Sequence, residues 1–299
     1  MNHIDESWNV GDRKRALQLD KIGYWSEVKL DIIKDYAAEY TKILSKRSEI
    51  KDFAYIDAFA GVGVHVSKRT GEFVLGSALN ALAVTPKFSH YYYIDLDSLK
   101  IDELKAAIQN RDDVTVRCGD CNAILLQDVF PHVRYEDYHR ALCLLDPYGL
   151  HLSWQVIHRA GQMKSIDMFL NFPVMDMNRN VLWRKPDLVS KDQAERMTRY
   201  WGDETWRDVA YHPASDLFDK NRIEKVPNAN EAMAAAFRRR LREVAGFANV
   251  PEPIPMRNNL GATVYYLFFA SQKDVANSIV KYIFKKYADR QADSRKKLG

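Results

Sequence analysis

The chain has 299 residues, a formal net charge of +4 at pH 7 and 46% hydrophobic residues, an ordinary balance for one large α/β domain or a domain with a sizeable insertion. No apolar run approaches the roughly 20 residues of a membrane span, and Met1–Glu6 is polar and acidic, unlike a secretory signal. A cytoplasmic protein that does not enter a membrane is therefore expected.

Residues 1–52 read as a helical segment. Val28, Leu30, Ile32, Ile33, Tyr36, Ala37, Tyr40, Ile43 and Leu44 keep a period near 3.6, with Lys29, Lys34 and Lys42 assigned to the polar side. Residues 53–173 then alternate between apolar runs and helical stretches. Strands are expected near 53–57, 91–95, 114–117, 141–145 and 167–171. Ser77, Asp97 and Ser153 stand where helix N-caps belong. Residues 174–250 lose strand alternation and form a mostly helical insertion, with a firm helix over 231–244. It is expected to act as a lid or substrate-reading element. In 251–299, Pro251, Pro253 and Pro255 predict a rigid turn region. Val264–Ala270 is a strand and residues 273–288 a helix, closing the core ahead of a basic tail.

The strand tips carry the chemistry. Asp57-Ala58-Phe59-Ala60-Gly61-Val62-Gly63 follows the first strand, and glycine there lets backbone pass close to a ligand. The second strand ends at Asp95, the third at Gly119-Asp120 and the fourth at Asp146-Pro147-Tyr148-Gly149. Parallel strands would gather these tips on one sheet edge, where ligands bind in open α/β sheets. The third glycine of a dinucleotide fingerprint is absent at its spacing, and so is the Gly-Lys-Ser/Thr of a P-loop. What remains is the order of a Rossmann-like class I methyltransferase that uses S-adenosylmethionine. Asp57, Phe59, Gly61 and Gly63 would border the methionine part of that cofactor. Asp95 would accept from the ribose hydroxyls, Asp120 from the adenine amine, and Ile94 and Cys121 would flank the purine.

Asp146-Pro147-Tyr148 resembles the Asp/Asn-Pro-Pro-Tyr/Phe tetrapeptide of methyltransferases acting on exocyclic amines, and the Asp-Pro-Phe-Gly variant of tRNA guanine N2-methyltransferases. An aryl amine is a poor nucleophile because its lone pair is delocalised into the ring. A carboxylate at Asp146 and the Pro147 carbonyl could accept its two N–H bonds, while Tyr148 stacks on the flat ring. The plainer alternative is a turn that ends a buried strand.

Cys118-Gly119-Asp120-Cys121 has no second pair or histidine cluster to complete a zinc site, so Cys118, Cys121 and Cys143 read as structural and no metal is expected. Residues 231–299 carry 13 Lys/Arg against 6 Asp/Glu. Arg238-Arg239-Arg240, Arg242, Lys281, Lys285-Lys286 and Arg295-Lys296-Lys297 could form a phosphate-contacting face for nucleic acid, or solvated helix faces.

The chain resembles the three-Cys-motif partner (TcmP) proteins, a bacterial family with a methyltransferase-like fold. The likeness runs through Lys29–Ile32, Tyr55–Gly63, Gly76-Ser77, Tyr93–Asp95, Gly119-Asp120 and Leu145–Leu150. It continues through Asn171-Phe172-Pro173, Met177-Asn178-Arg179, Trp201-Gly202-Asp203, Trp206, Tyr265–Leu267 and Phe269–Ser271. The resemblance implies a protein partner that carries the cysteine motif, and it supplies no substrate. Phe172, Asn178 and Arg179 leave the fifth strand on the edge of Asp146 and become candidate substrate contacts, Arg179 for a phosphate or carboxylate. The leading expectation is N-methylation of a nucleobase amine, within RNA or DNA. A non-catalytic partner protein and a small-molecule methyltransferase are the alternatives.

Overall fold

Apolar runs from widely separated parts of the chain pair into one sheet in a computed structural model that describes residues 19–213, 223–258 and 260–296. Residues 1–18 of the expected N-terminal segment, and the side chains of the expected basic tail Arg295-Lys296-Lys297, lie outside the description. In chain order the first elements are β1 (Lys21–Ile22), α1 (Tyr24–Leu44), β2 (Asp52–Asp57), β3 (Val64–Ser67), β4 (Phe73–Leu75) and α2 (Ser77–Leu82). Next come β5 (His90–Asp95), α3 (Ser98–Ile108), β6 (Val114–Cys118), α4 (Cys121–Ile124), β7 (His139–Leu145), α5 (Trp154–Met163) and β8 (Ile166–Phe172). The remainder comprises α6 (Val174–Asn180), α7 (Lys191–Trp201), α8 (Trp206–Ala210), β9 (Tyr211–Pro213), β10 (Ile223–Lys225), α9 (Ala229–Glu243), β11 (Ile254–Arg257), β12 (Thr263–Ala270) and α10 (Asp274–Lys296).

The main sheet runs β11-β12-β8-β7-β2-β5-β6. Strands β6, β5, β2, β7 and β8 are parallel, and β12 is antiparallel to both β8 and β11. From β2 the chain builds outward to β5 and β6, then returns to the other side for β7 and β8. The order therefore reverses between β2 and β7, which places a crevice at the carboxyl ends of those strands. The register is tight there, since Asp57 lies level with Tyr93 on one side and Leu144 on the other.

Period-2 alternation sends side chains to two apolar layers, as a sheet covered on both faces requires. Tyr55, Tyr91 and Tyr93 pack with Phe88 and with Ile32, Ile33 and Tyr36 of α1. Ala54, Ile56 and Cys143 face the opposite layer with α5. Described residues between 174 and 250 share that second core. Phe237 of α9 stacks on Tyr200 of α7 at 5.8 Å and meets Phe172 at 4.6 Å and Phe268 at 5.6 Å. Each such aromatic pair adds about 0.5–1.5 kcal/mol beyond area burial.

Three local differences from the sequence reading have physical causes. Gly76, not Ser77, is the N-cap of α2, and the Ser77 hydroxyl is turned toward Asp57 instead. Residues 254–257, expected as proline turn, form β11 on the rim of the sheet, where a missing N–H is tolerated. Residues 64–75 form a β3–β4 hairpin that turns at Gly71 (φ 76°) and pairs with β1 into a small three-stranded sheet. Asp97 and Ser153 do cap α3 and α5, accepting from Leu99 N–H at 2.9 Å and Gln155 N–H at 3.3 Å.

Candidate active site

The β2 turn is built by two glycines in left-handed conformation, Gly61 at φ 62° and Gly63 at φ 81°. A β-carbon on Gly63 would press on Leu79 and Leu104, each 3.0 Å away. One on Gly61 would meet nothing within 4 Å, so the loop faces open space at that point. Gly61 N–H donates to Asp95 Oδ2 at 2.9 Å, and Asp97 N–H to Oδ1 at 3.0 Å. Each carboxylate oxygen accepts two bonds, so both keep a lone pair for a ribose hydroxyl. Phe59 is half-buried beside the second core.

Asp57 is fully buried. Its Oδ1 accepts from Phe59 N–H at 3.2 Å, while Oδ2 has no hydrogen-bond partner within bonding distance among the described residues. Burial pushes its pKa up to about 7, opposed by the Ser77 hydroxyl and the Phe59 N–H; Asp146 adds to the rise and Lys29 opposes it. The Ser77 hydroxyl thus acts on the carboxylate through proximity without completing a bond to Oδ2.

At the tip of β6, Asp120 caps α4, its Oδ1 accepting from the Asn122 N–H at 3.0 Å and side-chain amide at 2.8 Å. Its Oδ2 is not engaged among the described residues, so the cap and an adenine amine are compatible. Cys121 begins α4 and is buried, which pushes its thiol pKa up to about 12 and keeps it a neutral apolar wall. Ile94 cannot flank a purine, because it is wholly buried in the core. Leu96 supplies the exposed apolar surface in its place. It follows Asp95 directly and is 76% exposed. An apolar residue just beyond a strand-tip acid, outside any helical stripe, was the sequence signal for it.

Asp146 leaves β7 beside this edge and lines a cleft of about 250 Å³ with Lys29, Tyr148, Asn171, Arg179 and Tyr265. Lys29 of α1 is buried and pairs with Asp146 Oδ2. Burial opposes its charge, yet the Asp146 and Tyr265 neighbours hold its pKa above the usual lysine value. Its Nζ also sits 5.5 Å from the Tyr265 ring centroid. Its assignment to the polar side of α1 is therefore corrected. Lys29 stands three and four residues before Ile32 and Ile33, on their stripe, and helical spacing could have found it.

Tyr148 is 76% exposed, its ring 6.0 Å from Lys100 Nζ. The Pro147 carbonyl accepts from buried Asn171 Nδ2 at 3.2 Å and keeps one lone pair. Gly149 admits Asp176, whose Oδ2 lies 2.8 Å from where a β-carbon would stand. An aromatic side chain, as in the tetrapeptide it resembles, has no room there.

The three candidate substrate contacts separate. Arg179 reaches the cleft, and no acceptor engages its guanidinium among the described residues. Phe172 does not, being fully buried among Tyr200, Phe237 and Phe268. Asn178 spends its amide on Val174 O and Asn230 Oδ1 at 2.7 Å and on Lys225 Nζ at 2.6 Å, tying α6 to α9 and β10.

The arginine run is also partly consumed. Arg238 binds Val250 O at 2.7 Å and pairs with Glu252. Arg240 pairs with Asp203 at 2.9 Å and lies over Trp154 and Trp201 at 4.8 and 5.4 Å. Arg239 and Arg242 stay exposed. Among the described residues, no group of three or more His, Cys, Asp or Glu could hold a metal, the three cysteines are free, and no helix is long and apolar enough to cross a membrane.

No family model matches the chain, and neither does any curated protein. Solved structures do. A Legionella pneumophila protein of family model DUF519 is similar at 13% identity and TM-score 0.51, over 86% of this chain and 90% of that one. An S-adenosylmethionine-dependent methyltransferase from Mesorhizobium loti is similar at 14% identity and TM-score 0.34, over 79% and 99%. One from Leishmania major is similar at 9% and 0.36, over 81% and 72%. Likeness at these identities is one of fold. The fold is a Rossmann-like α/β sheet, mostly parallel.

Proposed function

We propose that this chain is an S-adenosylmethionine-dependent methyltransferase acting on an exocyclic amine of a nucleobase, within RNA or DNA, and that it works with a protein partner of the kind its TcmP resemblance implies. One observation carries the reading. Asp146 and exposed Tyr148 share a cleft at the sheet edge where Asp57, Gly61 and Asp95 also end. S-adenosylmethionine, when bound, supplies a methyl group on a positively charged sulfur. The donor set suits it: Gly61 opens onto free space and Asp95 keeps acceptors for ribose hydroxyls, while wholly buried Asp57 supports the turn from beneath by accepting from the Phe59 N–H. Leu96 and Cys121 offer apolar walls for a purine.

Toward the substrate, Tyr148 would stack on the base, worth about 1–3 kcal/mol. Asp146 Oδ1 and the remaining Pro147 lone pair would accept the amine N–H bonds and align its nitrogen. Arg179 is suited to a phosphate at the mouth of the cleft. Titration calorimetry of the protein and of Asp95→Ala with S-adenosylmethionine and S-adenosylhomocysteine tests the cofactor half. Micromolar binding that the variant loses is expected; no binding by folded protein, with or without partner, sinks it.

The Lys29–Asp146 ion pair favours a second reading, a non-catalytic partner protein, because it occupies one oxygen of the amine acceptor. Label transfer from methyl-tritiated cofactor to nucleic acid separates the two.

A further inference from the structure

We propose that Lys29 and Asp146 form a two-point reader that selects an exocyclic NH2 group flanked by a ring nitrogen acceptor, the edge shared by adenine, cytosine and guanine and absent from plain aryl or alkyl amines. The proposal rests on the methyltransferase reading above and narrows its substrate.

The pair is not a sealed core contact. Both residues line the cleft, and the Asp146 side chain keeps 23% of its surface exposed against 10% for Lys29. A lysine ammonium carries three donors and a carboxylate about four acceptor positions. Their mutual bond uses one of each, at Oδ2. Among the described residues no donor engages Asp146 Oδ1, and beyond Asp146 the Lys29 Nζ faces the Tyr265 ring with Tyr148 nearby. One wall of the cleft therefore presents a free acceptor beside free donors. An amine N–H meets the first, and a ring nitrogen lone pair the second.

Charge explains why a lysine is there. Taking an ammonium out of water is costly without partners, and Asp146 supplies one from the tip of β7. A substrate with a ring nitrogen supplies another, whereas an amine without one leaves a desolvated N–H unpaired, which discriminates strongly. The space agrees. About 250 Å³ is less than the roughly 300–1,000 Å³ of clefts for drug-sized ligands, so one flat ring system enters with its sugar and phosphate outside. The exposed Tyr148 ring stands where it could cover that ring.

The test starts with purified protein, methyl-tritiated S-adenosylmethionine, total bacterial RNA and genomic DNA, followed by digestion to nucleosides. Label is expected on the exocyclic amine of one base. Label on a carbon or a ribose overturns the amine reading, label on no nucleoside with the partner present overturns the methyltransferase reading, and either takes this proposal with it. A short oligonucleotide is then made with the labelled base replaced by its deaza analogue, in which carbon replaces the ring nitrogen beside the amine (1-deazaadenine, 3-deazacytosine or 3-deazaguanine). The wild type should lose at least tenfold in kcat/KM on the analogue. Lys29→Met should be slower on the natural base and discriminate no longer between the two. Equal wild-type rates on both oligonucleotides, or undiminished discrimination by Lys29→Met, overturn the proposal and leave the amine reading standing. If Lys29→Met does not fold, the wild-type comparison alone decides.

Discussion

Replacing Asp57 by Asn should flatten the dependence of stability on pH. The Asp57 carboxyl has a pKa of about 7 in the fold against an ordinary 3.8, a rise of about 3 units or about 4 kcal/mol. The folded protein therefore holds this proton more tightly than the unfolded chain between about pH 4 and pH 7. Stability from this group is greatest below that window, falls as pH climbs through it, and is level above about pH 8. Between pH 5 and pH 8 the wild type should lose about 2–3 kcal/mol that Asp57→Asn does not lose. Urea denaturation of both proteins at four pH values measures it, and subtracting the curves isolates Asp57 because Lys29 and Asp146 are common to both. Parallel curves would refute the reasoning, since they would mean that burial does not hold the proton on Asp57.

Three further outcomes are expected. Gly61→Ala should fold at a cost of about 1–2 kcal/mol, because φ is 62° and no atom lies within 4 Å of the new carbon. It should nonetheless weaken S-adenosylmethionine binding at least tenfold in calorimetry, and unchanged affinity would place the cofactor elsewhere. Gly149→Ala should destabilise by about 1–3 kcal/mol, because its β-carbon would displace the Asp176 carboxylate from Leu150 N–H and Asn180. In an Asp176→Ala background the same change should cost little, and equal costs in thermal melts would exclude that contact. Lys29→Met should cost about 3 kcal/mol by stranding Asp146, and Lys29→Met with Asp146→Leu should recover most of it. A double variant no better than the single would show that α1 and β7 are not coupled through charge.

Period and punctuation made the parallel strands legible, because four of the five are apolar runs ending in an acid or glycine and β8 stops at Pro173. That same pattern placed Asp57, Gly61, Asp95, Asp120 and Asp146 along one edge. Tertiary competition hid the rest. Lys29 was assigned by its charge, although its spacing from Ile32 and Ile33 put it on the buried stripe. Phe172 ends the correct strand and Asn178 follows it, yet aromatic packing claims the first and a hydrogen-bond network the second. The arginine run read as a surface feature, but indole faces and Asp203 drew Arg240 inward, to 13% side-chain exposure. Short strands such as β3 and β4 carry too little alternation to show before their partners are known.

The prolines at the rim bear on how this protein meets others of its kind. β11 ends the sheet, and Pro251, Pro253 and Pro255 recur at every second residue into it. Backbone donors two residues apart point the same way along an extended chain, so these three remove donors from a single side. Since β11 still forms its ladder with β12, the depleted side is the outward one. A stray strand arriving there finds carbonyls but few N–H groups to pair with, and cannot zip on as an eighth strand. What read in the sequence as a rigid turn thus works as a hem, finishing the sheet so that it does not run on into a neighbouring molecule.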